Sequence, residues 1–166
     1  MKISKIVSGG QTGADRAALD AAIACGIPHG GWCPKRRRAE DGPIPLRYNL
    51  SETESADYAD RTRANVVDSD VTLIFSHGPL RGGSLLTQQF AQEFGRPFVC
   101  IDLDEIFPSS EDRGDDDLSV FRILEKNLSD LGDTVLNVAG PRASADPQIY
   151  DAVYREVCDI LAHFGG

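Results

Sequence analysis

Short apolar runs alternate with stretches of helical periodicity along the chain, and glycines mark most of the changes. Residues 3–8 form a β-rich run, with Ile3, Ile6 and Val7, that closes at Gly9-Gly10. In residues 15–25, Ala17, Ala18, Leu19, Ala22 and Ile23 recur at helical spacing and form one apolar face. Gly26 ends that helix and Pro28 prevents its return. A weak second strand is predicted at residues 31–33. Residues 34–50 carry Pro34, Pro43, Pro45 and a basic run. A connection that long is either a functional loop or a mobile insertion.

The rhythm continues through a helix at 54–68, a clear strand at 71–75, a second glycine-rich loop at 77–83 and a helix at 84–94. Gly95 and Pro97 mark its end, and a strand follows at 98–103. Residues 108–117 are polar and acidic, which predicts a solvated loop. A helix at 118–131, a strand at 135–139 and a helix at 147–164 complete the chain, with Pro147 expected in the last helix's first turn. No repeat or composition shift divides residues 1–166, so one domain is expected. Strands alternating with helices predict an α/β, three-layer fold around a mostly parallel sheet of five or slightly more strands, with right-handed crossovers. Order 2-1-3-4-5 is favoured over 3-2-1-4-5. It sets the ends of strands 1 and 3, each followed by a glycine loop, side by side where such sheets bind ligands.

Composition narrows the function classes. Hydrophobic residues at 41% and charged residues at 26% are ordinary for a globular chain of 166 residues. The net charge of −9 disfavours nucleic acid and anionic membrane as partners, yet allows a small anion in a locally basic pocket. No apolar run approaches the roughly 18 residues of a membrane span. The first eight residues do not resemble a signal peptide, so a cytoplasmic location is expected. Cys25, Cys33, Cys100 and Cys158 are scattered, which argues against a zinc ribbon or a disulfide framework.

Four segments could carry chemistry. Gly9-Gly10-Gln11-Thr12-Gly13-Ala14-Asp15 leaves a strand and opens a helix. Glycines let backbone approach a ligand there, and helix N-terminal N–H groups face an anion. A tight turn capped by Thr12 or Asp15 is an equal reading. Asp15 would repel a phosphate it faced, and could instead cap the helix, bind a hydroxyl or amine, or hold a metal. Arg81-Gly82-Gly83-Ser84, with Thr87 one turn on, repeats the setting and adds a guanidinium that can clamp phosphate. Asn137, Gly140 and Arg142 close the last strand on the same sheet edge, as ligand residues or as a plain exit turn. Lys35-Arg36-Arg37-Arg38 concentrates positive charge, with one or two of the four on a ligand phosphate, or as a solvated loop or a subunit contact.

His29, His77 and His163 show no metal-ligand spacing, and only His77, at a strand end, is a candidate for the site. Tyr58 and Thr62 share a helix face and are expected to pack, while some of Arg61, Arg63 and Asn65 must face solvent. No nucleophile elbow, Ser-His-Asp set or His-Glu-x-x-His motif appears, so no metal site and no catalytic set is assigned.

Taken together, Gly-Gly-Gln-Thr-Gly-Ala-Asp-Arg-Ala-Ala-Leu-Asp at 9–20, Gly-Gly-Trp-Cys-Pro-Lys at 30–35, Asp-Gly-Pro-Ile-Pro at 41–45, Arg-Thr-Arg-Ala-Asn-Val-Val-Asp-Ser-Asp at 61–70, Arg-Gly-Gly-Ser at 81–84 and Leu-Asn-Val-Ala-Gly-Pro-Arg at 136–142 resemble the molybdenum carrier family. The resemblance covers nearly the whole chain. It implies a Rossmann-like domain, circularly permuted relative to the related lysine-decarboxylase-like phosphoribohydrolases. It also implies molybdenum cofactor as ligand, a phosphorylated pterin with a dithiolene-bound oxo-molybdenum, carried without chemistry. Gly9, Gly10, Thr12, Gly13, Gly82, Gly83 and Ser84 would cradle the phosphate, with Arg81 and Lys35 as charge partners. The alternative is a nucleotide-binding sensor or a nucleoside-monophosphate phosphoribohydrolase. Those hydrolases carry Pro-Gly-Gly-x-Gly-Thr-x-x-Glu, whereas residues 81–89 here lack the Pro, the later Gly and the Glu. Asp15 would then be the substitute carboxylate. A homo-oligomer is expected on either reading.

Overall fold

In the computed structural model, which describes residues 2–106, 120–128 and 132–165, five strands build one sheet. They are β1 (Lys2–Val7), β2 (His29–Gly30), β7 (Val71–Ser76), β8 (Phe98–Asp102) and β9 (Asp133–Ala139). Their order is β2-β1-β9-β7-β8 and every pairing is parallel. The Rossmann-like α/β architecture is as expected, but both expected orders are wrong. The last strand of the chain slots between the first and β7, so the glycine loops after β1 and β7 flank the exit of β9. All six residues of β7 are buried, as a strand covered on both faces requires.

Helices α1 (Ala14–Ala24), α2 (Tyr58–Val67), α3 (Gly82–Glu93), α4 (Leu103–Ile106), α5 (Val120–Leu128) and α6 (Ile149–Phe164) accompany the sheet. Helix α1 packs on α6, and α2 on α3. The face of α1 is small, with Ala17, Ala18, Ala21 and Ala22 all buried against the core of Ile3, Ile6, Leu136, Val138 and Phe75. Large residues from α6, including Val153, Val157 and Ile160, join that cluster. Each is worth about 1.5–3 kcal/mol of apolar burial. Gly26, at φ +69°, ends α1, with its N–H donating to Ile23 O and that of Ile27 to Ala22 O. Among the described residues no helix is long and apolar enough to cross a membrane.

Three local expectations change. The second strand of the sheet is β2, not residues 31–33. Gly31, at φ +122°, turns the chain away, and β3 (Trp32–Cys33) pairs instead with β6 (Ser51–Glu52) in a separate two-stranded sheet. Helix α2 starts at Tyr58 because Asp57 caps it, accepting from Ala59 N at 3.0 Å. Helix α6 starts at Ile149, so Pro147 lies before Gln148, its N-cap, and outside the first turn. The acidic segment 108–117 lies outside the described residues.

The long connection at 34–50 is an ordered subdomain. It holds a 3₁₀ turn at Lys35–Arg37, then β4 (Arg38–Ala39) paired antiparallel with β5 (Gly42–Pro43). Its small core of Cys33, Ala39, Ile44 and Tyr48 packs on Leu19 of α1. Arg37 is its hub, donating to the carbonyls of Ile44 (2.8 Å), Leu50 (3.2 Å), Pro45 (2.9 Å) and Tyr48 (2.9 Å).

Candidate functional site

The loop after β1 spends its donors internally. Gln11 N donates to Asp15 Oδ2 (3.2 Å), Thr12 N to Gln11 Oε1 (3.0 Å) and Ala14 N to Pro141 O (3.1 Å). Thr12 Oγ1 donates to Glu40 and accepts from Ala143 N at 3.2 Å. The start of α1 is therefore closed over by the segment after β9. Burial works to raise the Glu40 carboxyl, but hydrogen bonds from Ser144 and Thr12, with the charge of Arg142, together hold it below the ordinary glutamate range.

Gly9 has a different task. The guanidinium of Arg61, from α2, lies where its side chain would be, so that a Cβ at residue 9 would overlap Nη1. From that seat Nη1 reaches Asp15 Oδ2 at 2.8 Å, with both side chains largely buried. The Nε of Arg61 is buried and has no hydrogen-bond partner among the described residues.

The loop after β7 is open where the first is closed. Arg81 is the extended N-cap of α3, and its side chain makes no cap hydrogen bond. Gly82 and Gly83 open the helix: Ser84 N and Leu85 N donate to Arg81 O (3.1 and 3.4 Å), whereas the N–H groups of the two glycines have no carbonyl one turn back to receive them. A Cβ on Gly83 would meet nothing within 4 Å. Ser84 is 3% exposed, yet its Oγ has no hydrogen-bond partner among the described residues.

These elements surround a cavity of about 810 Å³. Helix α2 lines it with Tyr58, Arg61 and Thr62, and the β7–α3 loop with His77, Arg81, Gly82, Gly83 and Ser84. Gln11, Gly140, Arg142, Asp104 and Asp146 also line it. His77 Nδ1 lies 2.7 Å from Asp146 Oδ2. Arg61, Arg81 and Arg142 gather positive charge on a chain of net charge −9.

Of the residues singled out in the sequence, the structure brings Gln11, Arg81, Gly82, Gly83, Ser84, Gly140 and Arg142 to the cavity. Gly9, Gly10, Thr12, Gly13, Asp15, Lys35, Thr87 and Asn137 stand outside its lining. Asp15 is held by Arg61, and Thr87 Oγ1 donates one turn back to Gly83 O at 2.8 Å. Asn137 Nδ2 is buried between strands, donating to Thr72 Oγ1 at 3.1 Å. Lys35 is exposed in the subdomain, and the basic run is dispersed because Arg37 points into its carbonyl cage. Gly140 belongs to packing, since a Cβ there would lie 2.6 Å from Ala14 Cβ and 2.9 Å from Phe75 O.

Tyr58, Arg61, Thr62, Asp104 and Asp146 line the cavity without having been assigned to it. The first three are spaced i, i+3, i+4 on α2, a polar face that could have been read as a second inward-facing stripe. Among the described residues, no cluster of three His, Cys, Asp or Glu could hold a metal ion.

A family model described as the circularly permutated YpsA SLOG family matches residues 6–161. The chain is also similar to the crystal structure, at 1.45 Å resolution, of a Syntrophus aciditrophicus SB protein named "Putative molybdenum carrier protein". The two are 49% identical, with a TM-score of 0.83, over 95% of this chain and 94% of that one. No curated protein matches.

Proposed function

The chain belongs to the circularly permutated YpsA SLOG family, and on that premise we propose that its cavity binds a phosphorylated small molecule, with molybdenum cofactor as the cargo. The observation that carries this reading is the buried, unpartnered Oγ of Ser84 at the first turn of α3. An unsatisfied buried hydroxyl costs about 1–3 kcal/mol, which a ligand oxygen accepting its hydrogen bond recovers. The positive end of the helix and the N–H groups of Gly82 and Gly83 favour an anionic oxygen there. Arg81 beside it supplies a bidentate partner, and the buried Nε of Arg61 a further donor.

Cavity size agrees. About 810 Å³ lies in the usual range of roughly 300–1,000 Å³ for small-molecule sites. The phosphate of the cofactor would sit on α3, and its ring would extend towards Tyr58 and Arg142. The dithiolene brings its own sulfur ligands to the metal, and no cysteine is among the described residues that line the cavity. In this reading Gly9, Gly10, Thr12 and Gly13 serve the phosphate indirectly, by seating Arg61 and closing the start of α1. A phosphoribohydrolase using Asp15 is less well supported, because that carboxylate is engaged by Arg61 away from the cavity.

Native mass spectrometry of freshly purified protein, with identification of what denaturation releases and molybdenum measured in parallel, tests the cargo. A pterin phosphate with stoichiometric molybdenum is expected, and a nucleotide without molybdenum overturns it. Gly83→Asp tests the anion site, because the added carboxylate has room to fold but repels phosphate. Unchanged phosphate affinity in a folded Gly83→Asp protein overturns that assignment.

A further inference from the structure

A second set of lining residues, His77, Asp104 and Asp146, bears on what else the ligand carries. Asp146 is fixed at the start of α6, where its Oδ1 accepts from Gln148 N at 3.1 Å. Its Oδ2 is 2.7 Å from His77 Nδ1. An ionised carboxylate only accepts, so Nδ1 must carry the proton and donate it to Asp146. In neutral His77 that choice fixes the tautomer and leaves Nε2 as a bare acceptor. No partner for Nε2 is found among the described residues, and His77 lines the cavity. Asp104, a second acceptor, lines the same cavity.

The cavity lining therefore offers groups of both kinds. Donors collect at the start of α3, and acceptors at His77 and Asp104. We propose that His77, oriented by Asp146, reads a hydrogen-bond donor on the ligand, so that the site selects phosphorylated molecules bearing an N–H or O–H group beyond the phosphate. This rests on the phosphate reading above. Asp146 is a positioning residue, acting through the imidazole it holds.

The test compares methyl phosphate, which has no donor beyond its phosphate, with ribose 5-phosphate as a hydroxyl donor and 6-hydroxymethylpterin phosphate as an N–H donor. Calorimetry at pH 8 should show the wild type preferring at least one donor-bearing probe by about tenfold, the worth of one good hydrogen bond. The preferred probe tells hydroxyl from ring N–H recognition. His77→Phe should erase the preference, so that all three probes bind with similar affinity. Asp146→Asn should also erase it, because an amide can donate to Nδ1 and so turn Nε2 into a donor. Nitrogen chemical shifts of His77 supply a readout that a purely structural pair would not move: the Nε2 resonance should shift with the preferred probe and not with methyl phosphate. Equal wild-type affinity for all three probes, or a preference that survives His77→Phe, overturns the inference while the anion site stands. Failure of all three probes to bind would instead sink the phosphate reading itself.

Discussion

Arg61 occupies the space that a side chain on Gly9 would need, and from there it holds Asp15 across the start of α1. One missing side chain thus places a guanidinium that is both buried and on the cavity wall. Gly9→Ala should push Arg61 off its seat. Separating a buried pair leaves both charges poorly solvated, at a cost of up to roughly 3–5 kcal/mol. The expected result is a melting temperature several degrees lower, together with a fall of about tenfold or more in phosphate affinity by calorimetry. A stable Gly9→Ala protein with native affinity would show that the guanidinium relaxes freely.

That relationship also shows why half of the site was hidden. Arg81-Gly82-Gly83-Ser84 is local, a loop between a strand and a helix, and its role was legible. Arg61 is one of two arginines, two residues apart on α2. Which of them faces inward depends on how the helix is rotated against α3, and that is set by packing elsewhere. His77 and Asp146 are 69 positions apart, and only the sheet order brings their loops together.

Two glycines near the site should respond oppositely to alanine. Gly83 has open space around it, and adding a methyl group there restricts the unfolded chain, so Gly83→Ala should be neutral or more stable by about 0.5 kcal/mol. Gly140 is pinned between Ala14 and Phe75, so Gly140→Ala must move α1 or β7 and should cost about 2 kcal/mol. Urea denaturation of the two variants separates a ligand-facing glycine from a packing glycine. Similar losses in both would contradict the open loop.

The same division runs through the fold. Every strand of the sheet follows an apolar, β-rich run or lies beside one, and the glycines and prolines between them are local signals. Strand order is not. β9 carries the apolar alternation of any central strand, with Leu136 and Val138 buried, and nothing in its residues says which neighbours it takes. It pairs with β1 on one side and β7 on the other, partners distant in the chain. The subdomain at 34–50 was legible as unusual but not as ordered, because its order comes from the side chain of Arg37 caging carbonyls.

Acid should loosen the lid over α1 first. Glu40 titrates below its ordinary value, because the hydrogen bonds from Ser144 and Thr12 and the charge of Arg142 outweigh its burial. A carboxylate with a lowered folded-state pKa contributes stability that is fully present above its unfolded value, near 4.5, and is lost as pH falls through the folded value. Asp41, held below its usual range by Arg16, works in the same sense. Glu40→Gln should therefore be less stable than wild type at pH 7, and the gap should narrow on acidification below about pH 4. Melting curves from pH 7 to pH 3 decide this, and a gap independent of pH would mean that the charge of Glu40 is not what secures residues 141–144.

Arg37 should hold the subdomain at 34–50 by its shape as well as its charge. Four carbonyls converge on one planar fork, and the residue accepts a left-handed backbone, φ +53°, to place it. Lysine keeps the charge but offers a single ammonium on a flexible stem, which cannot span the same acceptors. Arg37→Lys should cost about 1 kcal/mol or more, as carbonyls that are for the most part partly buried lose charged donors. The loss should be local. Amides such as Ile44 N, which donates to Arg37 O at 2.7 Å, should exchange with deuterium much faster, while those of β1 and β9 stay protected. Acceleration spread evenly over the sheet would instead make the subdomain part of the main cooperative unit. Its contact with Leu19 would then carry more of the stability of α1 than the small size of the shared cluster suggests.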